Sequence, residues 1–322
     1  MKILVTGGAG FMGSSFIRHM RKTHCDVEIV TLDALTYASD MRSLSALSGD
    51  RLFKFVEGDI SDRDLVFSLF EKENFDAVVN YAAETHVDNS IRSSSPFLIS
   101  NVVGVGVLLD AVNRYGTKRF HQVSTDEVYG DLPLGSSSSF SEMSPIHPSN
   151  PYSASKASAD LLCLSYFRTY ATPVTISRSV NNYGPFQNSE KLIPHSIRQI
   201  MCGEPVPIYG SGENIRSWIH VSDHSRAVER ILFDGRVGEV YNISAGFEIS
   251  NIELIRRILS IMGKSDDLIS FVADRPGHDR RYSLDFAKLR STFSFAPLIS
   301  FDDGLSSTVR WYAENADFSE GV

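Results

Sequence analysis

Lys2-Ile3-Leu4-Val5-Thr6-Gly7-Gly8-Ala9-Gly10-Phe11-Met12-Gly13 opens the chain and decides its fold. The apolar run at residues 2–6 predicts a buried strand, and residues 11–21 have the amphipathic pattern of a helix. Gly7, Gly10 and Gly13 lie between the two as G-x-x-G-x-x-G, and Phe11 and Met12 begin the helix. Glycine lets the backbone turn sharply and approach a pyrophosphate, which the free N–H groups of a helix N-terminus then bind. The stretch therefore predicts a dinucleotide-binding turn.

The rest of the N-terminal half alternates short apolar runs with amphipathic stretches. Strands are predicted at 27–32, 52–57, 77–81, 119–124 and 174–178, and helices at 62–73, 96–115 and 152–170. Strands separated by helices of this length indicate βαβ units with right-handed crossovers. We therefore predict an α/β fold, namely a Rossmann-type doubly wound parallel sheet with a smaller C-terminal substrate-binding lobe.

Glycine and proline residues, which favour turns and loops, indicate the domain boundaries. Residues 1–178, with a return at about 218–244 that includes a helix at 222–233, form the predicted dinucleotide-binding domain. Residues 179–217 and 245–322 form the predicted lobe, which is richer in Gly and Pro and contains a further helix at 251–262. The polar, flexible loop at 131–151 is either a tolerated surface insertion or an active-site lid.

Composition and charge exclude several classes of protein. The 322 residues are 42% apolar and 22% charged, which suits a globular chain with a full hydrophobic core. The net charge of -8 argues against a nucleic-acid-binding surface. Three dispersed cysteines without a C-x-x-C pair indicate a reducing compartment and no metal site. Because a strand begins at Lys2 and no apolar run reaches about 18 residues, we expect no signal peptide, no membrane span and a cytoplasmic location.

A carboxylate and several small residues indicate which dinucleotide binds. Asp33 ends the second predicted strand, 20 residues after Gly13. A carboxylate there accepts hydrogen bonds from both ribose hydroxyls and repels a 2′-phosphate, so it predicts NAD rather than NADP. Asp59-Ile60 follow the third strand, where an adenine edge would lie, and Ala82-Ala83 follow the fourth, where small side chains let a dinucleotide pass.

Two segments carry the candidate catalytic groups. Tyr152 and Lys156 are four residues apart on one helix face, where an ammonium stabilises a phenolate and makes it a usable base. Thr125 ends the preceding strand and can hydrogen-bond the same substrate hydroxyl. Asp126 and Glu127 follow at once. They are either a solvated acidic turn or a pair whose coupling makes one group an acid and the other a base.

These motifs resemble the extended short-chain dehydrogenase/reductase superfamily and, within it, the NAD-dependent nucleotide-sugar 4,6-dehydratases, most of all those that act on dTDP-glucose. The resemblance covers nearly the whole chain. Its motifs lie at 6–13, 82–88, 124–130, 152–156, 181–185, 190–194 and 274–279. The pair Asp126-Glu127 distinguishes the dehydratases from the related epimerases and decarboxylases, which lack it.

The resemblance implies a hydro-lyase with an internal redox cycle. Tyr152 takes the proton of the sugar 4-hydroxyl while tightly bound NAD takes the C4 hydride. Because the new ketone acidifies C5, Glu127 removes the C5 proton as Asp126 protonates the departing 6-hydroxyl. Return of the hydride to C6 gives dTDP-4-keto-6-deoxyglucose and regenerates NAD at each turnover.

The resemblance also implies the binding residues and a homodimer. Tyr152, Lys156 and Asn182 contact the cofactor, Asn181 and Arg216 the diphosphate, and Lys191 and Leu192 the base or its phosphate, while Asn251, Arg275 and His278 close the pocket. His86 is either a substrate contact or a structural histidine. Helices at 96–115 and 152–170 pair between two subunits, with packing inside the monomer as the alternative.

Three positions depart from the family pattern, which usually has Arg, Pro and Asp where this chain has Asn89, Ser189 and Ser217. They lie near the nucleotide side of the expected site. A UDP-sugar, either UDP-glucose or UDP-GlcNAc, therefore stays open as the substrate. A nucleotide-sugar epimerase or decarboxylase is the rival within the class, and a non-catalytic NAD-binding protein the rival outside it.

Overall fold

The computed structural model describes residues 1–274 and 277–319 and is built around one large parallel sheet. Its strands are β1 Lys2–Thr6, β2 Glu28–Asp33, β3 Phe53–Glu57, β4 Ala77–Asn80, β5 Arg119–Thr125, β6 Val174–Ser179 and β10 Val240–Ile243. They lie in the order β3-β2-β1-β4-β5-β6-β10, and every neighbouring pair is parallel. The strand order reverses between β1 and β4, which is where doubly wound folds bind their ligands. The predicted Rossmann-type fold is confirmed.

The central strand β1 shows why the opening run is apolar throughout. Ile3 and Val5 face one hydrophobic core and Leu4 faces the other, and all three are fully buried. A parallel strand covered by helices on both faces needs apolar side chains on both sides. Thr6 pairs with Leu32 and with Asn80, so the carboxyl ends of β1, β2 and β4 meet at one edge of the sheet.

Helices cover both faces of this sheet and also surround two small sheets in the C-terminal half. They are α1 Phe11–Thr23, α2 Arg63–Glu73, α3 Val87–Arg92, α4 Ser95–Leu98, α5 Val105–Tyr115, α6 Pro151–Tyr170, α7 Leu192–Cys202, α8 Val221–Asp234, α9 Asn251–Ile261, α10 Ala287–Phe293, α11 Phe301–Glu314 and α12 Ala316–Ser319. α1 and α8 pack on one face, and α2, α5 and α6 pack on the other. The helices expected at 11–21, 62–73, 152–170, 222–233 and 251–262 all form, with ends within two residues of the prediction.

The remaining strands form two small sheets in the C-terminal half. They are β7 Asn181–Tyr183, β8 Val206–Tyr209, β9 Ile215–His220, β11 Phe247–Ser250 and β12 Ile269–Val272. β9 lies between β7 and β11, while β8 pairs with β12. α7, α9 and α11 surround them with a third apolar core, whereas α10 adds Leu289 and Phe293 to a core of the main sheet. The division of the chain into two domains at the predicted boundaries stays a prediction.

Residues Ser95–Tyr115 form one continuous helical segment with a π-helical turn at Ile99–Gly104. Among the described residues this is the one helix long and apolar enough to cross a membrane, judged by length and composition alone. Half of it is buried inside the protein, and Leu108 and Leu109 belong to the core beneath the sheet. Core helices of globular proteins pass the same test, so the burial explains the apolar sequence.

The loop at 131–151 is anchored along its length. Phe140 stacks on Tyr129 with 5.2 Å between ring centroids, and its N–H donates to the Ser283 carbonyl over 2.8 Å. The Arg281 guanidinium donates to the Ser138 carbonyl over 2.8 Å, and the His147 N–H donates to the Val128 carbonyl over 3.0 Å. The loop, which its polar composition predicts to be flexible, is therefore a surface segment held by hydrogen bonds to residues 281–283 and to Val128.

Candidate active site

One large cavity collects nearly all of the predicted site residues. It has a volume of about 1020 Å³ and extends from the carboxyl ends of the main strands to the small sheets. From the predicted cofactor site it is lined by Gly7, Gly10, Phe11, Met12, Gly13, Asp33, Asp59, Ile60, Ala82, Ala83 and Asn182. From the predicted catalytic and substrate sites it is lined by Thr125, Glu127, Tyr152, Lys156, His86, Asn181, Lys191, Leu192, Arg216, Asn251 and His278. Asp126 lies behind the wall, and Arg275 lies outside the described residues. No residue of the 131–151 loop lines the cavity.

The glycine turn between β1 and α1 leaves no room for side chains. Gly7 has a φ of +65°, and a Cβ there would lie 2.6 Å from the backbone nitrogen of Ala82. A Cβ on Gly13 would lie 2.2 Å from the Gly7 carbonyl oxygen, so this glycine lets the helix pack against the turn. Gly10 is the N-cap of α1 and provides no side-chain hydrogen bond to the first N–H groups of the helix. These groups therefore suit a pyrophosphate.

Asp33 lies at the end of β2, and its carboxylate organises the loop beside it. Oδ2 accepts from the Ala9 N–H over 2.8 Å, while Oδ1 accepts from the Leu35 N–H over 2.9 Å and the Ser39 hydroxyl over 2.7 Å. A carboxylate offers about four lone-pair sites, so one remains on Oδ2 for a ribose hydroxyl. Binding through both ribose hydroxyls, as the sequence predicts, requires Ser39 to turn away.

Several buried polar atoms of the cavity wall lack a hydrogen-bond partner within the part of the chain that the structure describes. They are the side-chain oxygens of Tyr81, Ser124, Asn182, Gln187 and Asn251 and the indole nitrogen of Trp218. Buried polar groups in native proteins are nearly always hydrogen-bonded. Unsatisfied groups along one cavity indicate a polar ligand, and together with the glycine turn they fit a dinucleotide and a second nucleotide.

Tyr152 and Lys156 are buried in the first two turns of α6, which begins at a capping box formed by Asn150 and Ser153. Burial raises the pKa of the Tyr152 phenol well above its usual value, with Glu127 adding to the rise, while a hydrogen bond from Thr125 opposes it. Burial lowers the pKa of the Lys156 ammonium to about 8, and its Nζ donates to the Val123 carbonyl over 2.7 Å. A phenol in this environment needs a neighbouring cation to ionise.

The adjacent acids Asp126 and Glu127 have different surroundings, because the short 3₁₀ turn at Asp126–Tyr129 points them in different directions. Glu127 lines the cavity, whereas Asp126 is 1% exposed and its Oδ2 has no partner among the described residues. Burial, followed by the charge of Glu127, raises the pKa of Asp126 to about 8, although Arg216 and Thr125 oppose the rise. Asp126 therefore carries a proton at neutral pH.

Arg216 on β9 is held as a fixed fork on the opposite wall. Its guanidinium donates to the Ile215 and Asp279 carbonyls over 2.8 Å each, and it lies 4.5 Å from the centroid of the Tyr282 ring. Asp279 in turn accepts a hydrogen bond from the Tyr282 hydroxyl. A buried, oriented guanidinium is suited to a diphosphate.

His86, Lys191 and His278 are all held by neighbours at the cavity rim. The His86 ring accepts from the Asn89 N–H over 3.4 Å as the N-cap of α3, which is a structural role, and its Nε2 lies 3.5 Å from Glu190. The Lys191 ammonium lies 3.0 Å from the same carboxylate and donates to the Thr85 carbonyl over 3.4 Å. His278 lies 2.7 Å from Asp274.

Sequence reasoning missed Tyr282, Trp218, Gln187 and Glu190 in the cavity wall. Glu190 begins the family motif at 190–194, and Tyr282 comes three residues after the family motif at 274–279. Proximity to a motif was therefore the available signal for both residues. Gln187 likewise comes two residues after the 181–185 motif, whereas Trp218 does not lie next to any of the motifs. Asn89, Ser189 and Ser217, the three residues that differ from the family pattern, do not line the cavity. The Ser217 hydroxyl donates to the Tyr282 carbonyl over 3.1 Å.

The chain is similar to known proteins over nearly its whole length. A family model described as GDP-mannose 4,6 dehydratase matches residues 4–308. The chain is 47% identical to dTDP-glucose 4,6-dehydratase from Streptomyces niveus, over 98% of this chain and 94% of that protein. The structure of DesIV, a dTDP-glucose 4,6-dehydratase from Streptomyces venezuelae with NAD and TYD bound, superimposes with a TM-score of 0.96 at 44% identity, over 99% of each chain. A UDP-glucose 4-epimerase from Thermotoga maritima gives a TM-score of 0.91 at 28% identity, over 98% of this chain and 100% of that one.

Proposed function

Because this chain belongs to the nucleotide-sugar dehydratase family that the GDP-mannose 4,6 dehydratase model describes, we propose that it is an NAD-dependent dTDP-glucose 4,6-dehydratase. The product is dTDP-4-keto-6-deoxyglucose, formed by loss of one water. Several relatives at 43–47% identity carry the same name, and a neighbouring structure holds NAD. The glycine turn, Asp33 and the unsatisfied polar atoms of the cavity fit that cofactor.

The observation that carries this proposal is the split between Asp126 and Glu127. Elimination of water needs a base for the C5 proton and an acid for the departing 6-hydroxyl. Asp126 is protonated at neutral pH because its buried carboxyl has a pKa of about 8, so it can act as the acid. Glu127 lines the cavity and acts as the base. An enzyme that only oxidises or epimerises at C4 has no use for this pair.

The other polar side chains of the site prepare the substrate for elimination. NAD, when bound, supplies a reversible hydride acceptor. Tyr152 accepts the proton of the 4-hydroxyl, Lys156 stabilises the phenolate, and Thr125 hydrogen-bonds the Tyr152 hydroxyl and orients the sugar. The ketone that results makes the C5 proton acidic, so oxidation precedes the action of Glu127.

The nucleotide binds on the C-terminal side of the cavity. Arg216 and Asn181 hold the diphosphate, because the Arg216 fork is buried and fixed against Tyr282. Lys191 and Leu192 lie against the base or its phosphate, and Asn251 and His278 close the pocket. Arg275, although outside the described residues, is proposed to close the pocket with them. Gly7, Gly10 to Gly13, Asp33, Asp59, Ile60, Ala82, Ala83 and Asn182 hold the cofactor on the other side.

A panel of nucleotide sugars tests this function. The purified enzyme is incubated separately with dTDP-glucose, UDP-glucose and UDP-GlcNAc without added reductant. The mass of each product is measured by mass spectrometry. We expect dTDP-glucose to give a product lighter by one water. Loss of water from a UDP-sugar alone would reassign the nucleotide, and a product of unchanged mass would indicate an epimerase.

The enzyme is further proposed to be a cytoplasmic homodimer. Leu98, Ile99 and Val103 on the 95–115 segment and Leu161 on α6 are each about half exposed, and the two elements pack side by side. Apolar residues exposed together favour an interface with a second copy of the chain. The three cysteines are unpaired thiols, which suits a reducing compartment.

A further inference from the structure

A buried acid lies one helical turn behind the catalytic lysine. Asp160 follows Lys156 by four residues on α6, so the two side chains share one face of the helix. Asp160 is fully buried and Lys156 is 5% exposed. No step of the proposed reaction uses Asp160, yet an ionised carboxylate away from water is costly unless a nearby cation compensates it.

One cation pairs directly with this carboxylate, and a second lies one helical turn away from it. Asp160 Oδ2 accepts from the Nε of Arg178 over 2.9 Å, and Arg178, on β6, is 2% exposed with its guanidinium 4.8 Å from the Tyr129 ring centroid. Asp160 Oδ1 has no hydrogen-bond partner within the described chain. The Lys156 ammonium donates a hydrogen bond to the Val123 carbonyl, which carries no full charge. One anion therefore serves two buried cations.

We propose that Asp160 is a positioning residue for the oxidation step, whose negative charge, shared with Arg178, keeps Lys156 protonated in the dry interface between α6 and the sheet. Only a charged lysine stabilises the Tyr152 phenolate. Arg178 sets how much of that negative charge acts on the lysine, because it holds one carboxylate oxygen. This inference rests on the proposed dehydratase function only in the oxidation step, in which Tyr152 ionises.

The charges around Lys156 support this role. Burial lowers its pKa, and Asp160 is the largest influence in the opposite direction, followed by Cys163. Other titratable groups on the elements packed around this stretch include Tyr129, Tyr152, Asp126, Glu127 and Cys163, together with His121 on β5 and Asp110 on α5. Of the described acids, Asp126 and Glu127 act on Tyr152 and raise its pKa, so they oppose the phenolate. Asp160 is then the acid that favours ionisation of the tyrosine by way of the lysine.

Charge-removing variants of the two partners test the proposal by moving the pH dependence in opposite directions. Asp160→Asn removes the anion, so Lys156 loses its proton at lower pH. The alkaline limb of the kcat/KM profile with dTDP-glucose moves to lower pH, and activity at pH values well above that limb falls by about tenfold for each pH unit of the movement. Arg178→Met leaves the whole charge of Asp160 to Lys156, so the same limb moves to higher pH.

The double variant D160N/R178M guards against loss of folding, because it replaces the ion pair by neutral groups of similar size. We expect it to fold and to have its alkaline limb at the same lowered pH as Asp160→Asn. An alkaline limb unchanged from wild type in either variant that lacks Asp160 would overturn the proposal, and so would movement in the same direction in Asp160→Asn and Arg178→Met.

A titration that needs no substrate separates this proposal from the function itself. Ionisation of Tyr152 in the holoenzyme is followed by ultraviolet difference absorbance, with Tyr152→Phe as the blank. We expect a higher tyrosine pKa in D160N/R178M than in wild type, whichever sugar the enzyme accepts. An equal pKa would refute the role of Asp160, while failure of dTDP-glucose to react, with the shift present, would refute only the proposed substrate.

Discussion

Replacing Asp126 with asparagine removes a proton that the folded protein binds more tightly than the unfolded chain does. The carboxyl has an ordinary pKa of 3.8, and burial next to Glu127 raises it to about 8 in the folded state. Between these two values the folded protein holds one proton more, so its stability falls as pH rises. Asparagine has nearly the same shape and does not titrate, so the variant lacks this contribution.

The size of the effect follows from the width of that window. One extra bound proton changes the free energy of unfolding by about 1.4 kcal/mol per pH unit, which amounts to about 2.7 kcal/mol between pH 5.5 and pH 7.5. Asp126→Asn should therefore gain about this much stability relative to wild type over that interval. Urea denaturation of both proteins, without ligand, at pH 5.5, 6.5 and 7.5 measures the difference.

Asp50→Asn is the matched control. Hydrogen bonds from the Leu52 N–H and from Arg21 lower the pKa of Asp50, so its contribution is lost only as pH falls below about 4. The control should be destabilised equally at all three pH values. Parallel pH profiles for wild type and Asp126→Asn would mean that Asp126 is ionised in the native state, and the acid in the proposed elimination would have to be another group.

Three further perturbations test separate parts of the structure. Glu127→Gln should still allow oxidation at C4 but lose the base for C5, so quenched reactions should contain an oxidised sugar that retains its 6-hydroxyl; full turnover would exclude Glu127 as the base. Gly7→Ala places a Cβ 2.6 Å from a backbone atom, so it should weaken NAD binding and destabilise the protein. The loss of stability should exceed the roughly 1–2 kcal/mol of left-handed strain expected for Gly116→Ala, whose Cβ meets nothing within 4 Å. Calorimetric NAD titration and thermal unfolding compare the two variants, and equal losses would contradict the packing argument. Val103→Asp with Leu161→Asp should convert the dimer to a monomer in light scattering, while Leu298→Asp, at a 73% exposed leucine elsewhere, should not; a dimer that persists would move the interface to another face.

Local signals account for what the sequence could predict. The glycine turn, Asp33, and Tyr152 with Lys156 each depend on residues close together in the chain, and the structure places all of them around one cavity. The alternation of strands and helices likewise predicts a doubly wound parallel sheet, because βαβ units cross over in one hand.

The rest depends on contacts between distant segments. Tyr282 enters the site because Arg216, 66 residues earlier, stacks on its ring. The separate environments of Asp126 and Glu127 arise from a 3₁₀ turn that their sequence does not indicate. Strand β10 is short, and it joins the sheet only through its pairing with β6. None of these features has a local periodicity or motif from which it could be predicted.

The central claim is that one enzyme oxidises, dehydrates and reduces the same sugar without net consumption of cofactor. Incubation of dTDP-glucose deuterated at C4, in ordinary water and without added reductant, tests it most directly. The account predicts a product lighter by one water that carries the deuterium at C6. A product of unchanged mass, or a dehydrated product without deuterium at C6, would contradict it.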